Sequence, residues 1–227
     1  MNKIAVIYHI SCPDGTGAAW VAWRKFGGHA DYFPVSPRAL PEQSLDDYSE
    51  IYVLDNSFTE ETIKRFTNAG RRVTVIDHHE SSLADIKLAS EYVFDKKHSA
   101  AVLTWNYFYP KKKVPKFLKY VEAGDLWLDK LPKAEEIRAF ISAIPLEFSE
   151  FSKLVKLFES TAGFRKIAAE GKTMLKYRDL LVRQIAKRAY HVEFLGYIVL
   201  AINSSFFNSD LGGYLAEIHP PFGIIWY

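Results

Sequence analysis

Short apolar runs alternate with amphipathic stretches along the first hundred residues. Ile4-Ala5-Val6-Ile7-Tyr8 is apolar throughout and predicts a strand, and residues 17–26, with Ala18, Ala19, Val21 and Ala22, predict the helix after it. The unit recurs. Ile51-Tyr52-Val53-Leu54 predicts a strand, residues 60–68 a helix that Gly70 stops, and Val73-Thr74-Val75-Ile76 the next strand. Strands that alternate with helices imply a parallel sheet. Runs apolar at every position, rather than every second one, fit strands covered on both faces. Tyr32-Phe33-Pro34-Val35 and Tyr92-Val93-Phe94 predict flanking strands. The expected fold is α/β, a doubly wound, mainly parallel sheet of about five strands.

From Ser99 the texture turns helical, with helices predicted over residues 100–109, 114–123, 134–144 and 151–158. Residues 162–188, where Lys and Arg interleave with Ile167, Met174, Leu175, Leu180 and Ile185, predict a long connecting helix. After it, residues 192–194 and 197–201 predict a hairpin turned at Gly196, then a short helix from Asp210 and a last strand over 223–227. The expected organisation is a domain over 1–145, a helical connector over 146–189, and a small, incomplete α/β unit over 190–227.

An apolar fraction of 48% and a charged fraction of 25% are those of an ordinary globular protein and exclude a fibrous or disordered chain. Twenty-nine Lys and Arg against 27 Asp and Glu leave +2, too small a bias to hold a polyanion through bulk charge. Function must therefore come from local motifs. The single cysteine, Cys12, cannot staple the fold, and the chain starts straight into a strand pattern without a signal-peptide layout. The expected location is the cytoplasm. The apolar run over 197–202 is far shorter than the ~20 residues of a membrane helix, so no membrane partner is expected.

In parallel sheets, ligands gather beyond the carboxyl ends of the strands. Three polar clusters fall there: His9-Ile10-Ser11-Cys12-Pro13-Asp14-Gly15, then Asp55-Asn56, then Asp77-His78-His79-Glu80. Carboxylates crowded on one rim repel one another unless a cation neutralises them. Oxygen and imidazole donors favour Mn²⁺, with Mg²⁺, Co²⁺ or Fe²⁺ as competitors. A pair of such ions hydrolyses phosphoesters by acidifying water and clamping phosphate.

Each residue also has a plainer reading. Asp14 and Asp55 taken alone are helix caps or turn formers. His9 alone is a core histidine, whereas two adjacent imidazoles straight after Asp77 point to function. By spacing, Asp125 is structural, at a helix end with a capping turn at Gly124. His98 and Ser99, with Lys96 and Lys97 before them, open a predicted helix and are candidates for phosphate binding or for a plain N-cap. Trp20, Trp23, Trp105 and Trp127 are expected in the core. Cys12 is either a small buried residue or a neighbour of the metals.

Together these residues resemble the DHH phosphoesterase family, which includes family II inorganic pyrophosphatases, single-strand exonucleases and oligoribonucleases. Four motifs occur in order: Tyr8-His9 through Asp14-Gly15, Leu54-Asp55-Asn56, Asp77-His78-His79, and Gly124-Asp125-Leu126-Trp127. The resemblance implies that His9 binds one metal and Asp14 the other, that Asp55 bridges both, and that His78 and Asp125 complete the second. It further implies that Asp77 orients the neighbouring imidazole and that His79 faces the scissile phosphate. Cys12 stands where many members carry Asp, and a thiolate ligand there favours Zn²⁺ or Fe²⁺. The glycine-rich Gly-Gly-Gly-His motif of the family's second domain does not occur, and Gly212-Gly213-Tyr214 is not it. The expected function is metal-dependent hydrolysis of short nucleotides or oligonucleotides, by a monomer or a homo-oligomer. A pyrophosphatase or polyphosphatase, and a nucleotide- or metal-binding relative without catalysis, are the alternatives.

Overall fold

A computed structural model describes residues 3–128 and 130–227, in two units, Met1–Gly171 and Lys172–Tyr227. In the first unit β1 (Ile4–His9) leads into α1 (Pro13–Phe26), followed by β2 (Ala30–Val35) and β3 (Glu50–Leu54). Next come α2 (Glu60–Asn68), β4 (Arg72–Asp77), the short α3 (Leu83–Ile86) and β5 (Glu91–Phe94). The five strands are parallel in the order β2-β1-β3-β4-β5. The chain leaves β1 towards β2 and returns to β3 on its other side. This makes the carboxyl ends of β1 and β3 the switch point of the sheet, where a crevice opens.

Successive side chains of a strand point to opposite faces. Ala5, Ile7, Ile51, Val53, Val73 and Val75 therefore pack with Phe58, Ile63, Phe66 and Ile86 on the side of α2 and α3. Val6, Tyr52, Leu54 and Ile76 face Ala18 and Ala22 of α1 on the other side. There they also meet Ala100 and Leu103 of α4 (Ala100–Phe108). The sheet is thus mainly parallel and covered on both faces, as its continuous apolar runs require.

Four more helices follow: α5 (Lys116–Asp125), α6 (Ala134–Ile141), α7 (Phe148–Glu159) and α8 (Thr161–Ala186). Trp20, Trp105, Phe117, Phe151 and Phe158 tie α1, α4, α5 and α7 into a third cluster. Glycine permits one close approach here. A Cβ at Gly17 on α1 would lie 2.9 Å from the Ala101 Cβ on α4, so these helices meet almost backbone to backbone.

Three expectations need correction. Helix α1 begins at Pro13, four residues before the predicted start, because proline presets the backbone angle of a first helical turn. Gly124 lies inside α5 and is no cap, since the helix continues to Asp125 and closes at Leu126. Trp20 and Trp105 are in the core, but Trp23 and Trp127 are 39% and 56% exposed. Trp23 falls off the buried stripe of α1 and touches Phe148, while Trp127 follows the end of α5.

The second unit carries the end of α8, then β6 (Tyr190–Phe194), β7 (Tyr197–Asn203), α9 (Asn208–Ile218) and β8 (Gly223–Trp226). β6 and β7 form an antiparallel hairpin, and β8 pairs parallel to β7. Leu195 and Gly196 both have positive φ, 52° and 81°, as a two-residue hairpin turn demands. Val182, Ala186, Ile202, Leu211 and Leu215 form its core. Among the described residues, no helix is long and apolar enough to cross a membrane.

Candidate metal centre

Strand register builds the site. Tyr8 pairs with Leu54, and Leu54 with Ile76. The next residue on each strand, His9, Asp55 and Asp77, therefore stands beside its neighbour. Asp55 leaves β3 with φ 52°, a left-handed conformation that aspartate tolerates better than most residues. Asn56 stabilises the turn, its Oδ1 accepting from the backbone N–H of Arg38 (2.9 Å) and of Ser57 (2.8 Å). Gly15, in the first turn of α1, brings Asp14 to the same rim. A Cβ there would lie 2.5 Å from the His9 carbonyl oxygen and 3.1 Å from Asp55 Oδ2.

Asp14 does act as a helix acceptor, but for a helix far along the chain. Its carboxylate accepts from the N–H groups of Ala100 (2.7 Å) and Ala101 (2.9 Å) at the start of α4, where the helix dipole favours negative charge. The phosphate-binding expectation for His98 and Ser99 thus meets a helix start that already has protein acceptors. Glu122 completes it, accepting from Ser99 N–H (3.2 Å) and lying 2.9 Å from His98 Nδ1. Ser99 is fully buried, whereas the His98 side chain is 46% exposed.

Around the rim the donor atoms converge. His78 Nε2 stands 3.4 Å from Asp125 Oδ2, 3.5 Å from Asp55 Oδ1 and 3.9 Å from Asp14 Oδ2. His9 Nδ1 is 3.4 Å from Asp55 Oδ2. Among the described residues, three groups have ligand atoms close enough to share an ion: Asp14, His78 and Asp125; His9, Cys12 and Asp55; and Asp55, Asp77, His78 and His79. Every residue expected to bind or orient a metal lies in these groups, whereas His98 and Ser99 do not.

Asp14 and Asp55 are buried, 1% and 2% exposed. Both oxygens of Asp55, His78 Nε2 and Asp125 Oδ2 are also shut from solvent, with no hydrogen-bond partner among the described residues. Each orphaned group costs ~1–3 kcal/mol, and all of them point into the same cluster. A divalent cation among these oxygen and nitrogen donors satisfies them together.

The electrostatics of the bare site carry the same strain. Burial, then the carboxylates of Asp55 and Asp125, push the Asp14 carboxyl well above its usual range. Burial likewise raises Asp125. Burial opposes ionisation of Asp55 too, yet His78 and His9 hold it below the ordinary carboxylate value. Burial works against a charged His78, but Asp55, Asp14 and Asp125 lift it to about 9. Without a cation, the imidazolium of His78 is the local counter-charge.

No protein-family model matches the chain. In sequence it is 28% identical to an uncharacterized protein of Acanthamoeba polyphaga mimivirus, over 96% of this chain and 55% of the viral protein. The chain spans about half the length of that relative. In structure it is similar to an uncharacterized protein from Helicobacter pylori G27, with a TM-score of 0.56, 10% identity, and coverage of 99% of this chain and 83% of the other. The two share a fold. A structure of exonuclease RecJ bound to manganese aligns at a TM-score of 0.49 and 14% identity, over 98% of this chain and 75% of its own.

Sequence reasoning named Asp77 as the residue that orients the adjacent imidazole and missed the one that holds Asp77 itself, Ser82. Asp77 Oδ1 accepts from the N–H groups of His78 (2.8 Å) and His79 (3.3 Å) and lies 2.7 Å from His79 Nδ1. The buried Ser82 hydroxyl donates to the other oxygen, Oδ2. No local pattern announces Ser82, which acts only because the turn over Glu80–Ser82 folds back beneath Asp77. Such supporting partners are typically worth about 10–100-fold in metal affinity. Ser82→Ala loosens Asp77 and, through its bond to the His78 N–H, the ligand His78. It is expected to weaken Mn²⁺ binding by up to about 10-fold in a calorimetric titration, the low end of that range because Ser82 acts through Asp77. Wild-type affinity in this variant would show that Asp77 needs no such support.

Proposed function

We propose that this chain is a divalent-metal-dependent phosphoesterase of the DHH type that hydrolyses phosphoester or phosphodiester bonds of short nucleotides or oligonucleotides. The observation that supports it most is the convergence of buried, unpartnered Asp55, His78 and Asp125 atoms at the switch point of a parallel sheet. The order of the four motifs agrees with it.

In this reading Asp14, His78 and Asp125 would hold one cation, and His9 and Cys12 would hold a second. Asp55 would contribute to both, because Oδ2 faces His9 and Oδ1 faces His78. Cys12 adds a sulfur donor to the His9 group and shifts its preference towards Zn²⁺ or Fe²⁺, with Mn²⁺ favoured at the all-oxygen-and-nitrogen group. Bound cations supply charge neutralisation at the phosphate and acidify a water.

The remaining side chains position and move protons. His79 is half exposed, and its Nδ1 is committed to Asp77, which leaves Nε2 to meet the substrate. The bond to Asp77, against partial burial, raises the His79 pKa and favours the protonated ring. A proton held at Nε2 can bond a phosphate oxygen or pass to the departing one. Asp77 sets the orientation of that ring and is itself locked by Ser82. Asp14, anchored on the α4 N–H groups, cannot swing away from the cluster.

The test is hydrolysis of a dinucleotide and of a generic phosphodiester by purified protein with Mn²⁺, alongside elemental analysis. Two metal ions per chain and turnover of either substrate are expected. Protein that binds metal yet cleaves neither would be a binding relative instead.

A further inference from the structure

A cavity of about 250 Å³ opens beside the Asp14, His78 and Asp125 group, and Asp14 and Asp125 form part of its wall. Tyr120, Trp127, Arg138 and Ile141 supply much of the rest. Its volume falls just under the ~300–1,000 Å³ of sites for drug-sized ligands, which suits one ring system rather than a chain of them.

Trp127 is the unusual residue here. It is 56% exposed, whereas Trp20 and Trp105 are buried. Its backbone is held at φ 53°, a left-handed conformation uncommon for a bulky residue. The Arg138 guanidinium lies 4.6 Å from the ring centroid. The stem of Arg138 passes over Gly124, with its Cγ 3.7 Å from where a Cβ would stand. An indole and a guanidinium in face contact are the two planar side-chain surfaces on which nucleic-acid bases stack. Both line the cavity together with Asp125, which Trp127 follows by one intervening residue.

We infer that this cavity is a nucleobase subsite, in which the base of a nucleotide stacks against Trp127 and Arg138 while its phosphate lies at the neighbouring metal centre. The phosphate end rests on the phosphoesterase reading. The base end does not, because it follows from the ring, the guanidinium and the cavity alone. The mostly apolar wall fits a heterocycle better than a bare sugar, and stacking tolerates every base. The predicted substrate class is therefore nucleotides of any base, not inorganic polyphosphate.

Titration of the metal-free protein with adenosine and with ribose, followed by NMR, examines the base end without any hydrolysis. Adenosine is expected to bind wild type and Trp127→Phe at least about 10-fold tighter than ribose, and Trp127→Ala to weaken adenosine binding about 5-fold or more. The spectrum of each variant reports its folding. Should Trp127→Ala fold poorly, Arg138→Met keeps the stem, loses the guanidinium plane and is expected to weaken adenosine binding in the same direction. Equal binding of adenosine and ribose to wild type, or equal adenosine binding by wild type and the folded variants, overturns the inference. Adenosine binding with this Trp127 dependence in a protein that cleaves no phosphoester supports the base site and removes the phosphoesterase reading alone.

Discussion

Asp55→Ala is expected to abolish the response of this protein to divalent metal and to lower phosphoester hydrolysis by more than about 100-fold, beyond the ~10–100-fold typical of supporting residues. Asp55 is the residue whose two oxygens face different imidazoles, His9 on one side and His78 on the other. Removing it takes a donor from both groups at once. The measurement need not rely on activity. A cation present at ~100 times its dissociation constant stabilises the native state by ~2.7 kcal/mol. In a chain of this size each kcal/mol moves Tm by ~2–4 °C. Wild type should therefore melt about 5 °C or more higher with Mn²⁺ than with a chelator, and Asp55→Ala should show no such difference. An Asp55→Ala variant that keeps the wild-type metal shift would mean that the orphaned oxygens are not ligands.

Gly15→Ala is expected to damage both fold and site, although alanine is the better helix former by up to ~1 kcal/mol. The added methyl would sit 2.5 Å from the His9 carbonyl oxygen and 2.9 Å from the His9 Cβ, contacts that backbone cannot yield cheaply. Overpacking of this kind costs ~1–3 kcal/mol, or ~2–12 °C in Tm at ~2–4 °C per kcal/mol. Relief requires α1 to move away from the end of β1, and that carries Asp14 away from His78. Displacement by ~1 Å at a reacting centre can cost ~100-fold in rate. The variant should lose metal affinity and activity together, even at temperatures where it remains folded. Wild-type Tm and metal affinity in Gly15→Ala would show that the first turn of α1 has slack the close contacts do not suggest.

These two residues differ in how far the sequence announces them. Asp55 follows an apolar strand run, and its placement on the carboxyl rim was legible from that position alone. The same holds for His9 and for Asp77-His78-His79, each set by one strand ending where its apolar run ends. Gly15 is visible as a letter after Asp14, but the reason it must be glycine is a contact with β1 across the turn. Asp125 lay further out of reach. By spacing it was a helix end, and only the packing of α5 brings its carboxylate 3.4 Å from His78, 47 positions earlier in the chain.

The sequence by itself determined the parallel sheet, nearly all its helices and strands, and the presence of acidic and imidazole groups on one rim. Those follow from local periodicity, because strand and helix repeat every two and 3.6 residues and apolar runs show which faces are covered. Tertiary structure alone decided the rest: the seating of Asp14 on the N–H groups of Ala100 and Ala101, the support of Asp77 by Ser82, the burial of Ser99, and the exposure of Trp127 under Arg138. Each depends on two segments meeting in space, a property of the packed chain that no local repeat encodes.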